Sequence, residues 1–530
     1  MIRSTSLVAL VILVFALGAV VPALPESIDR TQNPNNANAG IAKSLPQQIG
    51  AGRGDLNTPD SSAFIIARDP ARAVRRGRQI FQRKFLGYQG QGPLLNDGHG
   101  DINTEVKLGA GLVDSCAGCH GRPKGAAGSG GDVATRPDSR DAPHLFGLGL
   151  KEMLADEITT DLRDIAEDAK RDARRSRSDV TRVLESKGIR YGSITARRDG
   201  TLDTSRVEGV DPDLRVRPFF LHGGTISIRE FVVGAFQAEM GLQAVDPDLM
   251  KACKGGRIVT PSGMVLDGAK DAVECPPTDD PNADPDGDGV KNEIPTSLVD
   301  FVEFYLLNYF TPARGEETAS TERGRGIMAN IGCTRCHIPD LKIDKDRRVA
   351  DVETVFDPVR GNPFNRLFAT AVTLFTAEDD HNRNGFPPIK RPNRNPFVVK
   401  NIFTDFKRHD LGPNFHEREY NGSIRTQFLT TPLWGVGTTA PYGHDGRSHD
   451  LPTVILRHGG EAQRERDRFA ALSKADVDDV LQFLRSLILF GPDDTASNLG
   501  PANPATAGYP QFGHGAIALS PLFNNPNDPE

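Results

Sequence analysis

The sequence contains two copies of the pattern CxxCH, one in each half of the chain. Their residues are Cys116, Cys119 and His120 in the first copy, and Cys333, Cys336 and His337 in the second. Two thiols at this spacing can form thioethers with the two vinyl groups of one haem, while the adjoining histidine ligates its iron. A redox dithiol or a four-cysteine zinc site would leave the repeated histidine without a role. The patterns therefore predict two covalently bound c-type haems.

An acidic loop between the two patterns is a candidate metal site. Its carboxylates occupy alternate positions around glycine turns, at Asp284, Asp286 and Asp288. Calcium favours several oxygen ligands in such loops, and Asn292 or Glu293 could add another. Pro295 stands where an EF-hand loop has its bidentate glutamate. We predict a calcium site, with a solvated acidic turn as the alternative.

The N-terminus predicts export. Arg3 precedes the apolar run 7–21, and small residues permit cleavage after Ala23, which is typical of a removable signal peptide. An uncleaved anchor is the alternative. Haems of this type are attached outside the bacterial inner membrane, so we expect a soluble periplasmic protein without stable membrane insertion. In that oxidising compartment Cys253 and Cys275, the two cysteines outside the patterns, should form a disulfide.

The charge and length of the chain indicate which kinds of partner it binds and how many domains it contains. The 530 residues carry a net charge of −7, with lysines and arginines scattered between acids. This distribution contains no cluster of basic residues of the kind that binds nucleic acid, and it favours a small substrate or a polar partner. The length allows two to four domains.

The chain also repeats itself around the two patterns. Arg-Gly-Arg at 76–78 and at 323–325 opens an apolar stretch that leads towards each CxxCH copy. Apolar residues recur every three or four positions over 298–309 and 477–487, which predicts one closing helix in each half. We therefore predict a mainly α fold of two cytochrome c-like haem domains that arose by internal duplication, with loop-rich insertions.

The remaining segments complete this organisation. The predicted boundaries are a signal peptide at 1–23, a polar linker or arm at 24–62, an N-terminal haem domain at 63–314, a C-terminal haem domain at 315–490 and an irregular tail at 491–530. Within the first domain, residues 152–186 are charged and favour a helix, which predicts a solvated helix outside the haem core. Residues 338–425 are rich in loop formers.

Several segments of the C-terminal half resemble a known superfamily. They are Pro-Leu-Trp-Gly at 432–435, Ala-Pro-Tyr-Gly-His-Asp-Gly-Arg at 440–447, Arg-His-Gly-Gly-Glu-Ala at 457–462 and the closing helix at 476–487. With both haem patterns they resemble bacterial di-haem cytochrome c peroxidases and the related enzyme that matures methylamine dehydrogenase. The likeness is greatest to the di-haem oxidoreductase branch, some members of which are described as thiol oxidoreductases.

The resemblance implies two helical haem domains that face each other. In such relatives the N-terminal haem usually reacts with peroxide, and the C-terminal haem is six-coordinate. Relatives also hold a calcium between the haems through one acidic or amide side chain and backbone carbonyls. By motif position these groups would belong to Asp141, Thr439 and Pro441.

The resemblance also gives a sixth ligand for the second haem. Peroxide-reducing relatives commonly place a methionine fourteen residues after the histidine of the Ala-Pro-Tyr-x-His motif, where this chain has His458. No methionine follows the second CxxCH copy, so a thioether ligand from the chain beyond this pattern is excluded. Ligation by His337 and His458 should give a lower potential than ligation by histidine and methionine. Tyr442 is the competing ligand, and packing by His458 is the alternative without ligation.

For the first haem, a catalytic acid is the central expectation. Cleavage of peroxide needs a group that moves a proton from the near to the leaving oxygen. The pair Glu239-Met240 follows the His-Gly-Gly turn at 222–224 at nearly the spacing that peroxidase relatives show between their Asp-Gly-Arg turn and a catalytic Glu-Met pair. We therefore predict Glu239 as the distal acid–base; a solvated helix-end carboxylate is the alternative. The histidines that could ligate or approach this haem are His99, His144 and His222. The tryptophan that peroxidase relatives carry just before the first turn is missing, because this chain has Phe220 and Leu221 before the turn at 222–224 and Trp434 is its single tryptophan.

The sequence therefore predicts a periplasmic di-haem c-type oxidoreductase of the peroxidase type. Its expected partners are a small oxidant such as hydrogen peroxide and a periplasmic electron-donor protein, with electrons passing through the C-terminal haem. One alternative is an electron-transfer cytochrome without distal catalysis. The other is a peroxide-driven oxidase of an organic or protein substrate.

Overall fold

The computed structural model describes most of the chain between residues 44 and 489. The described ranges are 44–92, 113–120, 140–308, 311–315, 317–348, 396–419 and 422–489, with the backbone of short strands between 350 and 392. The predicted signal peptide, the first part of the linker, the tail and His99 lie outside these residues. None of the helices within the described ranges has the length and apolarity needed to cross a membrane.

Helices dominate the described residues. They are α1 (Leu45–Ile49), α2 (Ser62–Arg68), α3 (Pro70–Gln82), α4 (Cys116–His120), α5 (Leu148–Ser176), α6 (Ile228–Met240), α7 (Pro247–Cys253), α8 (Thr296–Leu307), α9 (Ala319–Ile331), α10 (Leu451–Arg457), α11 (Gln463–Ala470) and α12 (Lys474–Ser486). The protein is thus mainly helical with loop-rich regions, as predicted.

The strands are short and mostly paired in twos. They are β1 (Val180–Ser186), β2 (Ile189–Ala196), β3 (Leu202–Asp203), β4 (Arg257–Val259), β5 (Val265–Asp267), β6 (Thr311–Arg314), β7 (Leu341–Ile343), β8 (Ala350–Asp351), β9 (Glu353–Val355), β10 (Val372–Thr373), β11 (Phe375–Ala377), β12 (Lys390–Pro392), β13 (Phe397–Val399), β14 (Arg408–Asp410), β15 (Glu417–Arg418), β16 (Ile424–Arg425) and β17 (Gln427–Leu429). β1, β2 and β3 form an antiparallel sheet. The other pairs are β4–β5, β6–β9, β7–β13, β8–β10, β11–β12, β14–β17 and β15–β16, of which only β6–β9 is parallel.

In each half, the helix that carries Arg-Gly-Arg crosses the closing helix at very short range. A Cβ added to Gly77 of α3 would lie 2.1 Å from the carbonyl oxygen of Phe301 in α8. A Cβ added to Gly324 of α9 would lie 2.0 Å from the carbonyl oxygen of Asp479 in α12. Only glycine permits such an approach, because any side chain would overlap the facing backbone. The closing helices predicted at 298–309 and 477–487 are confirmed as α8 and α12.

The insertion in the first half differs from its prediction. The expected solvated helix over 152–186 is wrong in its extent, because α5 ends at Ser176 and β1 follows it. It is also wrong in its exposure, because one face of α5 is fully buried, at Leu154, Ile158 and Leu162. These residues recur every four positions, and the many charges between them concealed this apolar stripe. α5 and the β1–β3 sheet share a hydrophobic core with residues of the C-terminal half, including Trp434.

The same insertion is joined to the C-terminal half by polar contacts. The hydroxyl of Tyr191 donates to the carbonyl oxygen of Asp405 at 2.9 Å. Arg347 forms an ion pair with the buried Glu152 at 2.6 Å. The insertion therefore connects the two halves.

Two further sequence predictions concern the edges of the first half. Cys253 and Cys275 form the predicted disulfide. The described end of the expected linker or arm contains α1, and Gln48 is buried where its amide donates to the side-chain oxygen of Gln79 at 3.2 Å.

The crossing at Gly324 can be tested with a matched pair of substitutions in α9. Gly324→Ala should lower the free energy of unfolding by about 1–3 kcal/mol, because the new methyl group has no space. Gly326→Ala, two positions away, places its Cβ where no atom lies within 4 Å, and should raise it by up to about 1 kcal/mol through helix propensity. Urea unfolding followed by circular dichroism measures both. Equal effects would contradict the close crossing.

Candidate functional site

The first CxxCH pattern forms the short helix α4, and its histidine is held in one orientation. The Nδ1 atom of His120 lies 2.7 Å from the carbonyl oxygen of Pro143. A carbonyl can only accept, so Nδ1 carries the hydrogen and Nε2 keeps the lone pair that an iron requires. Histidines that ligate metals commonly have such a partner on the other ring nitrogen.

The second pattern has the same arrangement. A 3₁₀ turn at Cys333–Arg335 leads to His337, whose Nδ1 lies 3.1 Å from the carbonyl oxygen of Phe403. Nδ1 therefore donates here too, and Nε2 is again the nitrogen able to bind iron. Burial lowers the pKa of both His120 and His337, which favours the neutral, ligating form.

The surroundings of the pattern cysteines differ from those of a redox dithiol or of a four-cysteine zinc site. None of the four is in a disulfide. Burial raises the pKa of Cys116 to about 12 and that of Cys333 to about 11, whereas redox dithiols have lowered values. In the described part of the chain, the two cysteine pairs do not come together as a zinc site would require. The residues present fit two covalently attached haems.

The ring nitrogens of His458 are arranged like those of His120 and His337. It follows α10, and its Nδ1 donates to the carbonyl oxygen of Val454 at 2.7 Å, which leaves Nε2 for a metal. Burial lowers the pKa of His458 to about 4, and the nearby His337 acts in the same direction. The hydroxyl of Tyr442, the competing ligand, donates to the carbonyl oxygen of Val436 at 2.8 Å. Burial raises the pKa of Tyr442, which disfavours the phenolate that ligation would need.

Glu239 lies beside the segment that leads into the first pattern. It is the penultimate residue of α6, half-buried, and its carbonyl oxygen accepts from the backbone N–H of Val113 at 3.2 Å. The next carbonyl, of Met240, accepts from Gly92 at 3.4 Å. These contacts bring the end of α6 to the chain three residues before Cys116.

A buried arginine anchors the other end of α6. Arg229 is fully buried and forms ion pairs with Asp246 at 2.7 Å, and with Asp300 and Glu303 of α8 at 2.8 Å each. A buried charge with several partners of opposite sign has a strongly favoured position. This cluster fixes the helix that carries Glu239 against the closing helix of the first half.

The two described histidines proposed near the first haem have different surroundings. The Nε2 of His144 donates to the carbonyl oxygen of Trp434 at 2.8 Å, while its Nδ1 accepts from the backbone N–H of Phe146 at 3.3 Å. Both ring nitrogens are thus occupied, and His144 offers no ligand atom in this structure. His222 faces arginines instead: burial lowers its pKa to about 3, and the charge of Arg140 contributes.

Sequence reasoning missed a polar cluster beside Cys336. The Nε2 of His409 lies 2.8 Å from a carboxylate oxygen of Asp405, and its Nδ1 lies 2.7 Å from one of Glu461. Although burial opposes it, the hydrogen bond to Asp405 and the nearby Cys336 raise the pKa of His409 to about 11. A thioether at Cys336 would remove the contribution of that thiol. No spacing in the sequence connects these residues, so only the fold could reveal the cluster.

The acidic loop brings its predicted ligands together. Oxygens of Asp284, Asp286 and Asp288 lie within 4.8 Å of one another. Glu293 is 4% exposed, and its Oε1 has no hydrogen-bond partner among the described residues, while Oε2 accepts from the backbone N–H of Gln243 at 2.8 Å. Burial raises the pKa of Glu293 to about 8, and the three aspartates add to this effect.

Asp141 is placed where the two halves meet. Its backbone N–H donates to the carbonyl oxygen of His444 at 2.8 Å, and its Oδ1 has no hydrogen-bond partner within the described ranges. Burial raises the pKa of Asp141 to about 7, and the charge of Asp445 contributes. Pro441 lies close to Asp141, since a Cβ added to Gly446 would lie 3.3 Å from the Cγ of Pro441 and 3.4 Å from the Cγ of Asp141.

Comparison with known proteins supports the resemblance in the C-terminal half. Residues 370–487 match the family model described as "Di-haem oxidoreductase, putative peroxidase". The matched segment includes Trp434 and His458 but neither CxxCH pattern. The resemblance to di-haem oxidoreductases is therefore confirmed for this segment.

Other comparisons add little. No curated protein matches the sequence. Among solved structures, the chain is similar to hydrazine synthase of Kuenenia stuttgartiensis, determined under 20 bar of xenon, with 14% identity and a TM-score of 0.21. The alignment covers 36% of this chain and 55% of that one, so the chain spans about half of that relative. A likeness at this level carries no argument about fold or function.

Proposed function

We propose that this protein is a periplasmic di-haem c-type oxidoreductase that reduces hydrogen peroxide at its N-terminal haem. Electrons from a donor protein enter through the C-terminal haem. The observation that carries the proposal is that the histidine of each CxxCH pattern, His120 or His337, has its Nδ1 hydrogen bonded to a backbone carbonyl, which leaves Nε2 for iron. A bound haem supplies the redox chemistry of the iron, while the chain supplies its ligands and a proton-transfer group.

The proposal includes two cytochrome c-like units related by internal duplication. The paired helices support this relation, because Gly77 and Gly324 occupy the same place in Arg-Gly-Arg and each meets the backbone of the closing helix. Two unrelated segments would have no reason to share both the tripeptide and the crossing.

The two haem sites are proposed to be unequal. His458 would occupy the sixth position of the second iron, which makes that site an electron store rather than a binding site for peroxide. At the first site, Glu239 would move a proton from the peroxide oxygen nearer the iron to the leaving oxygen. The overall reaction consumes one peroxide, two electrons and two protons and forms two waters.

The role of Glu239 can be tested with the protein carrying both haems. Glu239→Gln keeps the size of the side chain but cannot carry a proton between the oxygens. We expect the reduced variant to react with hydrogen peroxide at least about tenfold more slowly, as measured by stopped-flow absorbance. Glu274→Gln, which changes an exposed glutamate, is the matched control and should react at the normal rate.

The rival functions give different results in the same experiment. An electron-transfer cytochrome without distal catalysis would react slowly with peroxide before any substitution. A peroxide-driven oxidase would consume peroxide but return its oxidising power to an added organic or protein substrate. An unchanged rate in Glu239→Gln would exclude Glu239 as the acid.

The role of His458 can be tested through the potential of the second haem. His458→Met should raise the midpoint potential, because a thioether favours ferrous iron more than an imidazole does. Optical spectroelectrochemistry measures this change. His449→Met, at an exposed histidine, is the control and should leave the potential unchanged. An unaltered spectrum and potential in His458→Met would show that His458 is not the ligand.

We also propose that the acidic loop binds calcium through Asp284, Asp286 and Asp288. The Oε1 of the buried Glu293, which has no hydrogen-bond partner among the described residues, supports this assignment, because a cation would compensate the concentrated negative charge. A second calcium, implied by the resemblance at Asp141, is supported by the Oδ1 of Asp141, which likewise has no partner in the described part of the chain and lies at the junction of the halves.

Calcium binding to the loop can be measured by calorimetry after treatment with a chelator. Asp286→Asn should weaken it strongly, since one of three clustered carboxylates is lost, while Asp279→Asn, an exposed neighbour, should not. Equal affinity in both variants would place the calcium elsewhere.

A further inference from the structure

The proximal histidine of the first haem is connected by bonds to the C-terminal half. His120 donates to the carbonyl oxygen of Pro143 at 2.7 Å, and the next residue, His144, donates through Nε2 to the carbonyl oxygen of Trp434 at 2.8 Å. The backbone N–H of Phe146 fixes the tautomer of His144, because it can only donate to Nδ1. A hydrogen-bonded connection therefore crosses from one half to the other at His144.

The connection continues to the proximal histidine of the second haem. Leu433, which precedes Trp434, donates its backbone N–H to the carbonyl oxygen of Ile402 at 3.1 Å. The next carbonyl, of Phe403, accepts from Nδ1 of His337 at 3.1 Å. We call this continuous path the bridge. In order, its residues are His120, Pro143, His144, Trp434, Leu433, Ile402, Phe403 and His337.

We propose that the bridge carries electrons between the two haems, an inference that rests on the proposed presence of both haems. Electron tunnelling decays less steeply along covalent and hydrogen bonds than across an open gap. The bridge contains no open gap between the two iron-ligating rings: covalent bonds and the hydrogen bonds given above join every member. It therefore offers a direct electronic coupling between the two proximal ligands.

The middle of the bridge is buried and held on both sides. Trp434 is 4% exposed, and Ile402 and Phe403 are fully buried. The indole N–H of Trp434 donates to the carbonyl oxygen of Lys400 at 3.4 Å. Its ring covers Gly147, where an added Cβ would lie only 2.5 Å from the indole. Such packing keeps the distances along the bridge constant, which a tunnelling path requires.

The second half of the bridge is further secured beside the haem ligand. Ile402 donates its N–H to the carbonyl oxygen of Pro339 at 2.8 Å, and Thr404 donates to that of Ile338 at 3.0 Å. The segment that accepts from His337 is thus paired with the residues that directly follow His337.

The transfer along the bridge involves one electron and no proton. In the protein carrying both haems, the iron held by His337 would be oxidised from ferrous to ferric, and the iron held by His120 would be reduced from ferric to ferrous. The donor protein replaces the electron at the second site, and hydrogen peroxide is the final acceptor. No bond is formed or broken, so both histidines keep their tautomers throughout.

His144 is the residue at which a substitution can break the bridge. The contacts from Trp434 to Phe403 use backbone groups, which a substitution leaves in place. His144 is a positioning residue, because both of its ring nitrogens are hydrogen bonded to backbone groups and none is left to ligate a metal. Asparagine places its oxygen near the position of Nδ1 and can still accept from Phe146, but it cannot reach Trp434. Glutamine places its amide nitrogen near the position of Nε2 and can still donate to Trp434. His144→Asn and His144→Gln are therefore a matched pair.

Laser-flash photoreduction of the holoprotein tests the proposal. Less than one electron per molecule is delivered, and its redistribution between the haems is followed where their spectra differ. We expect His144→Asn to slow the redistribution severalfold and His144→Gln to restore much of the rate. Both midpoint potentials and the resting spectrum should stay unchanged, which a general structural defect would not allow. His416→Asn, at a half-buried histidine paired with Asp410, should have the normal rate.

The opposite results are equally defined. An unchanged rate in His144→Asn would overturn the bridge while leaving the proposed peroxidase function intact. A slower rate in Trp434→Phe together with a normal rate in His144→Asn would assign the path to the indole ring and overturn the bonded route. No redistribution in the unmodified protein would overturn both the bridge and the proposed electron route.

Discussion

The candidate sites depend on one constraint, the hydrogen bond from an imidazole Nδ1 to a backbone carbonyl. An imidazole has one donor and one acceptor when neutral, so a carbonyl at Nδ1 decides that Nε2 can bind iron. His120, His337 and His458 all have this arrangement. His144 has the reverse arrangement, with its hydrogen on Nε2 and an N–H donor at Nδ1. The same side chain is thereby able to ligate iron in three places, while in the fourth it connects the two halves of the chain.

The carbonyl that accepts from His337 belongs to Phe403, whose backbone has an unfavourable conformation. Phe403 has a φ of 55°, and the left-handed region is unfavourable by about 1–2 kcal/mol for a residue with a side chain. Burial of its ring offsets this cost, since Phe403 is fully buried and packs edge-on against Phe483 of α12 at 5.6 Å. The aromatic contact therefore holds the backbone in the conformation that turns its carbonyl towards His337. The closing helix of the second half thus supports the orientation of His337 through this contact.

The sequence predicted the parts of the structure that local patterns determine. The closing helices were predicted from the periodicity of apolar residues. The disulfide was predicted from the oxidising compartment expected for this chain. The buried face of α5 was missed because charged residues surround its apolar stripe. Asp405 and His409 were missed because their contact with Cys336 depends on tertiary folding, which no local pattern encodes. The acceptors at Pro143, Val454 and Phe403 were also out of reach, since a backbone carbonyl has the same chemistry in every residue.

The difference between the two halves arises from how each half uses its histidines. In the second half, His458 follows α10 and has its Nε2 available near His337, so a haem there would have an imidazole on each side. In the first half, the residue proposed to face the haem opposite its histidine is Glu239. A glutamate can transfer protons but is a poor ligand for a low-spin iron. His144, one of the histidines that the sequence offered to the first haem, instead donates to Trp434 of the other half, and its second ring nitrogen accepts from Phe146. It therefore belongs to the proposed bridge between the two sites and not to the candidate iron ligands.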